Sequence, residues 1–245
     1  MKHIIKLISA TLALSLGACS VYHPQAVDIP LINHAGDTRL DVAAGVSTWL
    51  LPDVVTFGGT VSYGVTDWLA VQGHVNYGGE NIYFQAAPGA YLPLGEHGVL
   101  EGYVGYGVGS SWHDGSTTGS DPDTASAYYA YSGHFSLPFL QANIGLHDLG
   151  RAHIDLAFGL KGGAYMPDFR YDRYTAEGEP ISSSAVTYSS PNLLVEPQLQ
   201  FRIGGEQVKY CLRLSFSWLS DLTRNGGERF TADFFTISNG LTFSF

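Results

Sequence analysis

The sequence predicts an all-β fold, an antiparallel up-and-down transmembrane β-barrel of about ten strands, with eight or twelve as the other counts. Three observations predict it. Apolar and polar residues alternate through successive segments from residue 38 to the end of the chain. Charged residues make up only 14% of the chain, against about 25% in a soluble domain. Mean hydropathy is nevertheless only +0.05, as when lumen-facing residues offset lipid-facing ones. Finally, the last strand places Leu241, Phe243 and Phe245 on one face, with Thr242 and Ser244 on the other.

The first element is a secretory signal over residues 1–18. Lys2 and Lys6 form its positive region, and the mostly apolar run Ile4 to Leu16 is too short to span a membrane as a helix. Residues 19–37 follow as a polar linker with Pro24 and Pro30, lying under the barrel or partly inside it. Residues 38–245 form the barrel. No other stretch is long and apolar enough for a membrane helix.

Within the barrel, segment one (38–50) sets Leu40, Val42, Ala44 and Val46 against Asp41, Ala43, Gly45 and Ser47. Segment two (54–64) sets Val55, Phe57, Val61 and Tyr63 against Thr56, Thr60 and Ser62. Segment three (68–77) has Leu69, Val71, Val75 and Tyr77 opposite Gln72, His74 and Asn76. Segment four (82–93) has Ile82, Phe84 and Leu92 opposite Tyr83, Gln85 and Tyr91. In segment five (99–112), Leu100, Val104, Tyr106 and Val108 oppose Glu101 and a row of glycines. Segment six (127–146) contains Pro138, where a bulge is expected because proline cannot donate to the ladder. Segment seven (152–171) sets Ile154, Leu156, Phe158 and Leu160 against Asp155, Gly159 and Lys161. Segment eight (192–204) sets Leu193, Val195, Leu199, Phe201 and Ile203 against Glu196, Gln198, Gln200 and Arg202. Segment nine (208–220) has Tyr210, Leu212, Leu214, Phe216 and Trp218 opposite Cys211, Arg213, Ser215 and Ser217, and segment ten is 229–245. Connections after the even segments are tight and most others are longer. Outer-membrane barrels pair short periplasmic turns with long outer loops, so both termini are expected in the periplasm and the long loops outside.

One face therefore collects Asp41, His74, Glu101, Asp155, Lys161, Glu196, Arg202 and Arg213, and the other is almost free of charge. A soluble lipocalin-like barrel would reverse that sidedness. Aromatic residues at strand ends (Tyr63, Trp68, Tyr77, Tyr106, Trp218) favour the membrane barrel. Ten strands enclose a narrow interior, and buried charges must be paired. A closed, salt-bridged lumen is expected, with Glu101, Glu196, Arg202 and Arg213 pairing across it.

Without the signal's two lysines the chain keeps 10 basic against 22 acidic residues, net −12. That sign disfavours nucleic-acid binding. The sequence holds no nucleophile elbow, HExxH, phosphate loop or CxxC, and no cofactor or metal site is expected. His113-Asp114 falls near a loop and reads as two polar loop residues, and His147-Asp148 reads as turn chemistry. Asp114, Asp121 and Asp123 match no calcium-loop spacing and read as a solvated acidic loop. The stretch 168–179, with Asp168, Arg170, Tyr171, Asp172, Arg173 and Tyr174, reads as a strand extending beyond the membrane; partner binding is its alternative reading.

Four resemblances add to this. Leu16-Gly17-Ala18-Cys19 resembles a bacterial lipobox, which implies that Cys19 is lipidated and that Cys211 is left alone. No acidic run follows Ser20, and by that resemblance the anchor stays in the periplasmic leaflet. Ser238, Gly240, Phe243 and Phe245 resemble the C-terminal signal read by the barrel-assembly machinery. His113-Asp114 lies where omptin-like barrel proteases carry Asp and His residues. The lead Val21-Tyr22-His23-Pro24 with Ile29-Pro30-Leu31, and the strand pair Tyr63 to Val71, look like uncharacterised barrel lipoproteins of the Bacteroidota. These imply outer-membrane lipids and the assembly machinery as partners. The expected function is a non-enzymatic structural or accessory component of an outer-membrane assembly. The alternatives are a small-solute channel and a rim-active hydrolase.

Overall fold

The computed structural model describes residues 20–22, 28–47, 54–78, 80–117, 127–174, 186–221, 231–232 and 235–245. Residues 1–18, where a signal is expected, and Cys19, Asp121 and Asp123 lie outside the described residues. Among the described residues fourteen strands appear in chain order: β1 (Ser20–Tyr22), β2 (Thr38–Ser47), β3 (Val54–Gly64), β4 (Leu69–Gly78), β5 (Asn81–Leu94), β6 (Gly98–Thr117), β7 (Ala127–Leu149), β8 (Ile154–Tyr174), β9 (Val186–Tyr188), β10 (Asn192–Gly204), β11 (Val208–Phe216), β12 (Trp218–Asp221), β13 (Thr231–Ala232) and β14 (Phe235–Ser244).

Consecutive antiparallel pairing from β2 to β8, then β8 to β10, β10 to β11 and β11 to β14, returns to β2 and closes a ten-stranded barrel. β12 continues β11 in one register against β10 after a break at Ser217. β9 adds a short pairing at the far end of β8. The seam is sealed twice over, by Thr38 N–H to the Phe245 carbonyl (3.3 Å) and Phe245 N–H to the Thr38 carbonyl (3.0 Å).

The bulge expected at Pro138 is absent. Pro138 stays opposite Tyr106 in an unbroken β6 register. On the β8 side the ladder lapses at Leu137 and Pro138 and resumes without a shift, from Ser136–Met166 to Phe139–Gly163. The missing donor costs ladder bonds and leaves the residue count unchanged. The observed shift lies between Leu146 and Leu149, beside the turn.

The connections after β3, β5, β7 and β10 all fall at the end where Thr38 and Phe245 meet, here called the short-turn end. The opposite, long-loop end carries the longer connections after β6, β8 and β12. Side chains sort by the period of two. Val42, Phe57, Val61, Phe84, Val104, Leu140, Ile144, Leu156 and Leu199 are exposed on the outer wall, while their neighbours along each strand are buried. Exposed aromatics stand at two levels: Tyr63, Trp68 and Phe245 near the short-turn end, and Tyr77, Tyr106 and Trp218 toward the other. Trp68 and Tyr77 stand nine residues apart along β4, roughly 23 Å of height at a barrel tilt of about 40°. That matches an apolar band about 25 Å tall. Leu160→Arg, a charge near mid-height of this outer wall, is expected to cost about 2–4 kcal/mol in urea unfolding from lipid bilayers. A cost under about 0.5 kcal/mol would contradict the sidedness.

Inside, the glycine row of β6 makes space. A Cβ at Gly105, Gly107 or Gly109 would fall within the rings of Phe139, Tyr83 and Phe135 respectively. Those rings come from the flanking strands and fill the long-loop half of the lumen. Tyr83 stacks on Phe135 at 5.7 Å between centroids, and Phe135 meets Tyr165 at 5.0 Å. Gly240 serves the seam, because a Cβ there would stand 2.7 Å from the Ala43 Cα of β2. Ser238 faces the lumen beside it, while Phe245 stands on the outer wall.

Candidate functional site

The short-turn half of the lumen is filled by the chain's own lead. Asp28, Ile29, Leu31 and Ile32 are fully buried inside the barrel, and the lead then descends to enter β2 at Thr38. Leu31 adopts a left-handed conformation, φ 58°, which bends the lead so that its neighbouring side chains reach different walls. Such strain persists only where the surroundings fix it. The walls opposite are cut back to fit. A Cβ at Gly145 would stand 2.7 Å from Leu31, one at Gly159 2.9 Å from Ile29, and one at Gly64 2.9 Å from Ile32.

Extended backbone inside a lumen needs hydrogen-bond partners, and polar wall residues supply them. Arg202 donates from Nη2 to the Ile29 carbonyl (2.8 Å) and from Nη1 to the Pro30 carbonyl (3.2 Å). Gln200 donates to the Ile29 carbonyl (2.8 Å) and Gln141 to the Asp28 carbonyl (2.7 Å). The Ile32 N–H donates to Glu101 Oε1 (2.9 Å). Glu101 also accepts from Asn143 (2.9 Å) and Tyr103 (3.4 Å).

Charges around the lead form a continuous chain. Lys209 meets Asp155 at 2.6 Å, Asp155 meets Arg202 at 3.8 Å, and Arg202 meets Asp41 at 3.5 Å. Asp41 meets Arg213 at 2.8 Å, and Arg213 meets Asp28 of the lead at 3.3 Å. Thr242 donates a short hydrogen bond to Asp41, and Gln200 accepts from Arg213 Nε at 3.1 Å. Asp41 therefore joins two guanidiniums from β10 and β11, and Asp28 fastens the lead to the same network.

A second group lies toward the long-loop half. Lys161 Nζ is fully buried, 3.4 Å from Glu196 and 3.0 Å from Gln85 Oε1, and sits 4.7 Å from the Phe139 ring centroid. Ser217 donates to Glu196 (2.8 Å). Lys161→Met strands Glu196 in a dry interior, at an expected cost of about 3–5 kcal/mol. Lys161→Met with Glu196→Leu should recover most of that loss. Equal losses in the single and double variants, measured by urea unfolding, would refute the pairing. His74 stands apart from both groups, with Nδ1 2.7 Å from Thr60 Oγ1. It borders a cavity of about 20 Å³ with Thr60, Asn76, Arg213, Thr236 and Ser238, room for about one water.

All eight charged residues read from the sequence point into the lumen. The structure brings Asp41, Asp155, Arg202 and Arg213 together, pairs Lys161 with Glu196, and leaves His74 and Glu101 outside the ion pairs. Glu101 and Glu196 do not pair with the arginines as expected. Glu101 holds the lead's backbone, and Lys161 takes Glu196. Sequence reasoning missed Asp28, Lys209, Gln141 and Asn143, and placed Gln200 on the inner face without its role in holding the lead. The one available signal was the apolar run Ile29-Pro30-Leu31-Ile32, which breaks the polar character of the lead without alternating.

At the long-loop end, His113 and Asp114 belong to β6, and their side chains lie outside the described residues. On the outer wall nearby, Ser110 Oγ and His134 Nδ1 lie 2.8 Å apart, and Asp168 is His134's ladder partner on β8. β6, β7 and β8 pair continuously here, so their N–H groups are spent on the ladder. No group of three or more metal-binding side chains occurs among the described residues.

No protein-family model matches the sequence, and no curated protein does. Solved structures match in fold. The outer membrane protease OmpT of Escherichia coli superposes with TM-score 0.56 at 9% identity, covering 90% of this chain and 100% of its own. The translocator domain of the autotransporter NalP of Neisseria meningitidis gives TM-score 0.38 at 12% identity, covering 100% of this chain and 95% of its own. The NanC porin gives TM-score 0.37 at 11% identity, covering 83% and 98%. At these identities the OmpT likeness shows the barrel fold and nothing about activity.

Proposed function

We propose that the protein is an outer-membrane β-barrel lipoprotein, anchored through Cys19, that serves as a non-enzymatic structural or accessory subunit of an outer-membrane assembly. One observation carries this reading: the barrel's interior is spent on its own lead. Among the described residues, the lumen carboxylates and cations of the short-turn half are engaged with one another or with the lead. A small-solute channel needs a continuous water path, and among the described residues the buried lead occupies one half of the lumen and the Tyr83, Phe135 and Phe139 rings the other. What the barrel still offers to other molecules is its outer wall and the strands β6, β7 and β8, which extend at the long-loop end.

Purification from native outer membranes in mild detergent tests the reading. A protein co-migrating at near-equal amount is expected. A lone monomer, reproducibly free of partners, would overturn it. Lipidation is read separately as an N-terminal acyl mass that Cys19→Ser removes.

A further inference from the structure

We infer that the lead threads the whole length of the barrel, so that Ser20 emerges at the long-loop mouth and not at the short-turn end where β2 begins. Four observations carry this. First, β1 (Ser20–Tyr22) pairs with β13, through Ser20–Thr231 and Tyr22–Ala232. β13 ends three residues before Phe235, the long-loop end of β14. Second, the pairing is parallel. β13 leads the chain into the downward strand β14, so β1 also points from the mouth toward the lumen. Third, the lead enters β2 at Thr38, beside Phe245 at the opposite end. Between these two fixed ends Asp28 is held inside the barrel by Arg213 and Gln141. Fourth, the lumen at this level has no room for a returning strand. Ile29, Leu31, Ile32 and Arg202 are all fully buried against one another and the wall.

The distances agree. Arg213, which holds Asp28, lies five residues before Trp218 of β12, roughly 13 Å of barrel height. Tyr22 and Asp28 are six residues apart, a reach of about 20 Å when extended.

The consequence concerns the modification site. With the lipid at Cys19, which rests on the reading above, the acyl chains sit one residue beyond the long-loop mouth. They would enter the leaflet facing the long loops, opposite to the periplasmic leaflet that the absence of an acidic run implies. Lead, ion chain and lipid then fasten the barrel from both of its ends.

The test is a cross-link in the full chain, with Cys211→Ser removing the buried free thiol. Neighbouring strands lie about 4.8 Å apart, within the Cα spacing a disulfide spans. Tyr22→Cys with Ala232→Cys should therefore close an internal loop on oxidation, seen as a reductant-sensitive mobility shift. Tyr22→Cys with Glu206→Cys, at the short-turn end, should not. The reverse pattern, or no cross-link to position 232, overturns the threading. In intact cells, Ser20→Cys should react with a membrane-impermeant maleimide together with Ser189→Cys of the long-loop end. Reaction only after cell opening, together with Glu206→Cys, overturns it as well. Neither readout needs the lipid, since the Cys211→Ser chain without added cysteines reports any labelling or cross-linking by an unmodified Cys19 itself. A missing acyl mass with an intact 22–232 cross-link would therefore reject the lipidation alone.

Discussion

Arg202→Ala is expected to cost about 3–5 kcal/mol of unfolding free energy, among the largest losses from any single lumen substitution. The guanidinium has four partners: the Ile29 and Pro30 carbonyls, Asp41 and Asp155. Removing it leaves two carboxylates short of a cation in a dry interior and two lead carbonyls without their donor. Asp41 retains Arg213 and Asp155 retains Lys209, so the barrel should still close. Arg202→Lys keeps the charge but loses the fork that reaches two carbonyls at once, and should recover only part of the loss. Urea unfolding from bilayers checks both. A loss below about 1 kcal/mol for Arg202→Ala would mean that the chain of ion pairs is ornamental.

The second large effect is expected from the lead itself. Ile29, Leu31 and Ile32 are fully buried and fit pockets that Gly159, Gly145 and Gly64 leave open. Truncating one buried Leu or Ile typically costs about 2–5 kcal/mol. Replacing all three by serine also puts hydroxyls where methyl groups fill the space. The three losses will not add fully, since the side chains share one site. Even so, the lead should leave the lumen while the ladder of the wall, which does not depend on it, persists. Limited proteolysis reads the difference: cleavage within residues 28–33 is expected in the triple variant and absent in the native chain. Protection of the lead in the triple variant would show that hydrogen bonds alone hold it.

The wall was legible because a strand has a period of two, and each segment kept its register between tight turns. Segment eight, for example, alternates Leu193, Val195, Leu199 and Phe201 with Glu196, Gln198, Gln200 and Arg202, and β10 puts the second set inside. Pro138 departs from expectation because a missing donor interrupts the ladder without adding a residue to the strand. The direction of each charge was legible for the same reason, while the partners were not. Asp28 and Arg213 are 185 positions apart, and nothing local links them. Glu101 is expected to find an arginine, yet beside Asn143 and Tyr103 it accepts from a backbone N–H of a segment with no strand pattern. The lead holds no alternation to read because it is surrounded on all sides. Only its apolar run betrayed that it is buried.

The most direct test of a barrel closed by its own lead is electrical. The native protein and the Ile29, Leu31, Ile32 serine variant would be reconstituted into planar bilayers and recorded side by side. A silent native protein, with discrete steps appearing in the variant, is the predicted result. Steps of equal size in both would contradict it, since the lumen would then conduct with the lead in place.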